Sequence, residues 1–322
     1  MYKGGNYIWH NGQIVEWEDA KVHVLSHALH YGSSVFEGIR LYKTPNGPKI
    51  FRLQDHITRL YNSAKIYRME IPYSQDDLTK ACKDIITQNE LNNGAYIRPI
   101  AFRGYGEIGL APKDDHPVDV SIAAWEWGTY LGEDALKNGV EVCVSSWQRV
   151  APNTIPTMAK AGGNYLSSTL ISTEAKRLGF DEGIALSSSG KVSEGAGENL
   201  FIVKDDVIYT PPASSGILTG ITRDTVVKIS KDVGLDLKEE EINRESLYLA
   251  DEMFFTGTAA EITPIKSVDR IIIGQGKRGP ITQKLQDEFF GLFSGSTDDK
   301  YSWLDSISVS YTHLTLPTKR IV

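Results

Sequence analysis

The chain has 322 residues, 41% of them hydrophobic and 23% charged, with a formal net charge of −7 and a pI of about 5.6. This is the make-up of a soluble globular protein with room for two ordinary domains and a sizeable core, not of a disordered chain. An acidic balance without a basic stripe argues against nucleic acid as the main partner. No apolar run approaches the length of a membrane span.

Two cysteines, Cys82 and Cys143, lie far apart and in no metal-like spacing. They predict a reducing compartment, the cytoplasm, with neither a disulfide framework nor a zinc site. The first residues, Met1-Tyr2-Lys3-Gly4-Gly5, carry no apolar signal region.

The elements are read in chain order. Tyr7-Ile8-Trp9-His10, Asn11-Gly12 and Gln13-Ile14-Val15 predict a hairpin closed by a type I′ turn. Residues 55–66 predict a helix with Ile57, Leu60, Tyr61 and Ala64 on one face. A second helix over 74–89 opens on Ser74, with Asp77 placed to complete the cap. Strands are predicted over 95–102 and 118–124. The run Trp127-Gly128-Thr129-Tyr130-Leu131-Gly132 breaks the pattern and marks a boundary. It separates a small N-terminal domain, 1–127, from a larger one, 133–308, with 128–132 as the connecting loop.

Beyond the boundary, strands are predicted over 139–145, 183–186 and 200–203, the last two around a turn at Ser189-Gly190. Helices follow over 164–178 and 221–233, then a short one over 247–250. A strand over 252–256 and a helix over 280–293 complete the series. Strands and helices mix without strict βαβ alternation, so the expected class is α+β and not a doubly wound parallel sheet. Residues 309–322 have no clear period and predict a non-native or disordered tail.

Lys160 is the most informative residue, set in Ala159-Lys160-Ala161-Gly162-Gly163-Asn164-Tyr165 just ahead of a helix. A lysine that attacks a carbonyl needs space and a free-base amine, which desolvation favours. An ordinary loop lysine is the competing reading. Gly220-Ile221-Thr222 leads into a helix whose first amides suit a phosphate dianion, although a plain cap accounts for the same residues. Thr256-Gly257-Thr258-Ala259 follows a strand and can present amides and hydroxyls to an anion. Glu194 and Glu198 stand among residues with almost no side chain, so the backbone there can approach a flat ligand. A carboxylate in that place can keep a pyridine nitrogen protonated, and a surface loop is the alternative. Tyr96 and Arg98, two apart on a strand, share a face and suit a substrate carboxylate, although a surface cross-strand pair accounts for the same residues. Arg59 lies within an amphipathic helix and reads equally as a solvated base.

Several long strings occur together: Val24-Leu25-Ser26-His27-Ala28-Leu29-His30-Tyr31-Gly32, Val35-Phe36-Glu37-Gly38-Ile39-Arg40, Ala95-Tyr96-Ile97-Arg98-Pro99, Ala151-Pro152-Asn153-Thr154-Ile155-Pro156 leading to Lys160, and the segments 193–201 and 257–264. In these the chain resembles the branched-chain amino acid aminotransferases, class IV pyridoxal-phosphate enzymes of bacterial type. The resemblance runs from about Tyr7 to Trp303. It implies fold-type IV, with a small α/β domain, a larger pseudo-barrel domain and the cofactor between them. It implies that Lys160 forms the aldimine with pyridoxal 5′-phosphate and later moves the proton. It assigns Glu194 to the pyridine nitrogen and Tyr165 to the ring hydroxyl. Arg59, Ile221 through its amide, Thr222 and Thr258 would hold the phosphate. Tyr96, Arg98 and the Thr258-Ala259 backbone would receive the substrate carboxylate. Phe36, Gly38, Trp127 and Tyr130 would line an aliphatic pocket, completed by Tyr31 of a neighbouring subunit. A homodimer is then the minimum assembly, and bacterial relatives are often hexamers.

The activity implied is transamination of L-leucine, L-isoleucine and L-valine with 2-oxoglutarate. Two other activities use the same scaffold, D-amino-acid transamination and aminodeoxychorismate cleavage. A catalytically silent cofactor binder is the reading from another class, and intact Lys160 and Glu194 argue against it. One departure is visible: Thr219 stands where a proline is common before Gly-Ile-Thr.

Overall fold

The computed structural model describes residues 5–128 and 132–307. In chain order the first part contains β1 (Tyr7–His10), β2 (Gln13–Glu16), α1 (His27–Tyr31), β3 (Ser34–Phe36), β4 (Ile39–Thr44), β5 (Gly47–Phe51), α2 (Leu53–Ile66), α3 (Gln75–Gln88), β6 (Ala95–Arg103) and β7 (Val118–Glu126). Then come α4 (Glu133–Asn138), β8 (Val140–Val144), α5 (Tyr165–Arg177), β9 (Glu182–Leu186), β10 (Val192–Gly195), β11 (Asn199–Lys204), β12 (Val207–Thr210) and α6 (Ile221–Asp232). The last are β13 (Leu237–Glu239), α7 (Arg244–Tyr248), β14 (Glu252–Gly257), β15 (Glu261–Val268), β16 (Ile271–Ile272), α8 (Pro280–Ser294) and β17 (Leu304–Ser306).

Local chemistry explains the surest elements. Asn11 (φ 46°) and Gly12 (φ 88°) both take positive φ, as the type I′ turn between β1 and β2 requires. Ser74 and Asp77 form a complete capping box at the start of α3. That helix buries Leu78, Ala81, Cys82, Ile85 and Ile86 as one stripe. In α2, Ile57, Leu60 and Ala64 are buried as expected, while Tyr61 is half-buried.

Two sheets result, so the α+β expectation holds. The first runs β17-β5-β4-β6-β7-β1-β2, with β3 against β6. The second runs β10-β9-β8-β15-β14-β11-β12-β13, with β16 against β15. Helices α2 and α3 pack on the first sheet around Ile39, Leu53, Leu60, Leu78 and Ile85. The 133–308 span does not keep to itself: β17 pairs with β5 of the first sheet. A third cluster joins the halves, with Phe51 of β5 edge-on to Phe289, Phe293 and Trp303, and Tyr42 stacked 3.6 Å from Phe293. Each such ring contributes roughly 1.5–3 kcal/mol by burial.

Several elements differ from expectation. The short helix occupies Arg244–Tyr248 and not 247–250, because Leu247 points into the core from its interior and Leu249 is exposed. Ser193-Glu194-Gly195 is not a surface loop but part of β10, buried at all four of its positions. β3, β4 and β5, between Ser34 and Phe51, had no counterpart in the periodicity reading. The 309–322 tail and Tyr130 lie outside the described residues.

Candidate active site

A cavity of about 220 Å³ opens between the two sheets. Lys160 reaches it from the segment between β8 and α5. Its backbone is held on both sides: the Lys160 N–H donates to Ser63 Oγ of α2 at 3.0 Å, and its carbonyl accepts from the Phe36 N–H at 3.0 Å. The amine donates to the Tyr165 hydroxyl and lies 4.7 Å from the centroids of both the Phe36 and Tyr165 rings. Lys160 lies in a loop, and its amine is held at the cavity by Tyr165.

Opposite chemistry gathers on each side of the amine. Glu194, 4% exposed, pairs with Arg149 at 2.7 Å and accepts from Asn199 Nδ2 and the Leu218 N–H, both at 3.1 Å. Burial pushes its carboxyl pKa up, opposed by Arg149 and the Leu218 amide. Glu198 also lines the cavity. Burial, reinforced by the Glu182 carboxylate, pushes its pKa up to about 8.

Arg59, Ile221, Thr222 and Thr258 border the same cavity. The Arg59 guanidinium is not solvated: Glu37 takes its Nε and one terminal nitrogen, and the other donates to the Thr219 carbonyl at 3.2 Å. Burial opposes ionisation of Glu37, but Arg59 and His56 hold its carboxyl far below the usual carboxylate range. Burial in turn lowers the pKa of His56, so a neutral ring donates from Nδ1 to Glu37 at 2.7 Å. Ile221 and Thr222 open α6, and first-turn amides have no intrahelical acceptor.

Tyr96 and Arg98 share a face, as expected. Arg98 donates to the Tyr96 hydroxyl at 3.4 Å and lies 4.9 Å from the Phe36 ring centroid. The Tyr96 ring sits 5.2 Å from that of Trp127. Gly38 makes room for it: a Cβ there would stand 1.8 Å from the Tyr96 hydroxyl. Phe36, Gly38, Trp127 and Ala259 all line the cavity. Tyr31 does not line it and is 41% exposed.

The donor set fits pyridoxal 5′-phosphate. A cation, helix-initial amides and threonine hydroxyls suit the phosphate. A buried carboxylate suits a pyridinium. Thr256 Oγ1, Arg98 Nε and Arg149 Nε are buried at the cavity and have no hydrogen-bond partner among the described residues, as befits a place built for polar contents.

Residues 34–268 match the family model of amino-transferase class IV. The chain belongs to the class IV aminotransferases. Among its relatives, the branched-chain-amino-acid aminotransferase of Escherichia coli (strain K12) is 57% identical over 306 residues, which are 95% of this chain and 99% of that protein. A crystal structure of the Escherichia coli branched-chain enzyme superposes with a TM-score of 0.93 at 57% identity, covering 94% of this chain and 100% of that one. The branched-chain amino acid aminotransferase of Thermobaculum terrenum, solved in its PLP-bound holo-form, gives 0.88 at 36% identity over 95% and 100% of the two chains.

This class IV aminotransferase also contains site residues that its sequence did not flag. Arg149 and Asn199 hold Glu194, Glu37 holds Arg59, and His56 holds Glu37. Glu37 and Asn199 stood within noted strings, but neither was singled out. Nothing local distinguishes Arg149 in Gln148-Arg149-Val150, because its partner is brought up by another strand.

Proposed function

We propose that the chain exchanges the amino group of L-leucine, L-isoleucine or L-valine with 2-oxoglutarate, yielding branched-chain 2-oxo acids and L-glutamate, with pyridoxal 5′-phosphate carried on Lys160. The observation that carries this reading is the Lys160 amine, hydrogen-bonded to Tyr165 inside a cavity that also holds Glu194, Arg59 and Arg98. Relatives named branched-chain-amino-acid aminotransferases support the substrate class. They do not favour the D-amino-acid and lyase readings.

Bound pyridoxal phosphate supplies an electron sink that acidifies the Cα–H bond of an attached amino acid. Lys160 Nζ would take that proton, and Tyr165, whose hydroxyl accepts the amine's hydrogen bond, would hold the ring hydroxyl. Glu194, itself held by Arg149, would hold the pyridine nitrogen. Arg59, Thr222, Thr258 and the Ile221 amide would hold the phosphate. Tyr96, Arg98 and the Thr258-Ala259 backbone receive the substrate carboxylate. Phe36, Gly38 and Trp127 would wall the alkyl group from water, where each methylene is worth about 1 kcal/mol.

We assign the cavity to the junction of a small N-terminal domain and a larger second domain, β17 returning to the first. The working unit is a homodimer or a homohexamer, in which Tyr31 of a neighbouring copy completes the pocket. Exposed apolar side chains support this: Leu110 (85%), Leu166 (71%), Val24 (69%) and Leu29 (60%). Free, buried Cys82 and Cys143 support a cytoplasmic location.

The test is the visible absorption spectrum of the purified chain with pyridoxal phosphate, before and after L-leucine. A cofactor band that L-leucine converts supports the reading. A band that answers only to a D-amino acid moves the chain to that activity, and no band at all refutes cofactor binding.

A further inference from the structure

We propose that the buried Arg40–Glu261 pair is a positioning device for the Thr258-Ala259 turn. The proposal rests on the reading that this turn receives the substrate carboxylate.

The turn joins β14 to β15, with Gly257 paired opposite Glu261. Glu261 closes it at φ 58°, in the left-handed region. Three-residue hairpin loops place one residue there, and glycine suits that place best. A glutamate pays a conformational penalty for standing there, and such strain persists only where the surroundings enforce it. Here the side chain supplies the reason. Its Oε1 accepts from Arg40 at 2.7 Å and from the Tyr42 hydroxyl at 2.9 Å. The pair is nearly dry, with side-chain exposures of 8% and 5%.

The same guanidinium makes two further contacts. It donates to the Ala259 carbonyl at 3.3 Å and to the Gly128 carbonyl at 2.8 Å. Arg40 therefore holds the turn twice, once through the Glu261 side chain and once through the main chain at Ala259. It also holds the residue next to the cavity wall at Trp127. Arg40 lies on β4 of the first sheet and the turn on the second, so one side chain sets the spacing across the cavity mouth. A buried ion pair adds little net stability over an apolar pair of similar volume. What it adds is geometry, because a bidentate-capable guanidinium accepts few orientations of its partners.

The test is calorimetric titration of the chain loaded with pyridoxal phosphate, using 4-methylvalerate, which is leucine without its amino group. Glu261→Gly restores the residue that the backbone prefers but removes the tie. We expect its Kd for 4-methylvalerate to rise roughly fivefold or more, as for one lost charge-assisted contact. An unpaired buried Arg40 can unfold the chain. The paired variant Arg40→Met/Glu261→Gln leaves no buried charge and should show the same rise. Glu252→Gln is the structural control, since Glu252 is another buried carboxylate, capping α8 at the Ile281 and Thr282 amides. It should lower the melting temperature and leave the Kd within about twofold. Unchanged binding by Glu261→Gly, or by the paired variant where the single one does not fold, overturns the proposal. Equal weakening by Glu252→Gln also overturns it. If the unmodified chain takes no 4-methylvalerate, the carboxylate reading of the turn falls, and this proposal with it.

Discussion

Glu37 grips Arg59 with both carboxylate oxygens, Oε1 to Nε at 2.6 Å and Oε2 to a terminal nitrogen at 2.8 Å, while its own side chain is fully buried. The remaining terminal nitrogen donates to the Thr219 carbonyl, and Arg59 borders the cavity. Glu37→Gln keeps the shape and removes the charge. It should destabilise the chain by about 3–5 kcal/mol, the usual cost of stranding one partner of a buried pair. Pyridoxal phosphate should bind at least tenfold more weakly as Arg59 loses its orientation. Because ionisation of Glu37 is held well below the ordinary carboxylate range, its contribution is present at neutral pH and is lost only as pH falls into strong acid. The stability gap between variant and unmodified chain should therefore be flat from about pH 6 to pH 8. Urea denaturation and equilibrium dialysis of the cofactor check both parts.

Lys160→Ala removes the amine and leaves Arg59, Thr222 and Thr258 in place. Turnover of L-leucine should vanish, while cofactor still binds without a covalent link. Mass spectrometry after borohydride treatment reads this directly: the unmodified chain should carry the cofactor at residue 160, and the variant nowhere. Measurable turnover by the variant would refute the assignment.

Gly38→Ala places a methyl where the Tyr96 hydroxyl now lies, at 1.8 Å. The Tyr96 ring must shift. Overpacking of this kind costs about 1–3 kcal/mol in stability. We expect kcat/KM for L-leucine to fall by roughly a hundredfold, since a misplaced substrate loses reactivity as well as affinity. Steady-state kinetics decide it, and a loss under threefold would show that the hydroxyl is not needed where it stands.

Glu198 has its pKa raised from the ordinary 4.5 to about 8 by burial and the neighbouring Glu182. The folded state then keeps a proton that the unfolded chain has given up. Stability from this group is fully present below about pH 4.5 and is lost as pH rises towards 8. Glu198→Gln cannot titrate. Its melting temperature relative to the unmodified chain should climb between about pH 5 and pH 8. Parallel melting curves across that range would mean that the carboxyl is not buried in its neutral form.

Much of this protein is written in its local sequence. The Asn11-Gly12 turn, the Ser74 cap, the stripes of α2 and α3 and the small residues around Lys160 each depend on neighbours a few positions away, so the chain alone determines them. The helix starts just after Lys160 and at Ile221-Thr222 were legible for the same reason. What the tertiary structure decided is which charges stand together. Arg40 meets Glu261 across 221 residues, and Arg59 meets Glu37 from another element. β10 was not legible because all four of its residues are buried, which erases the alternation that betrays a strand. Glu194 became a held carboxylate only when Arg149 and Asn199 closed on it. Periodicity reports which face of an element turns inward. Pairing of buried charges depends on which elements meet there, and only packing settles that.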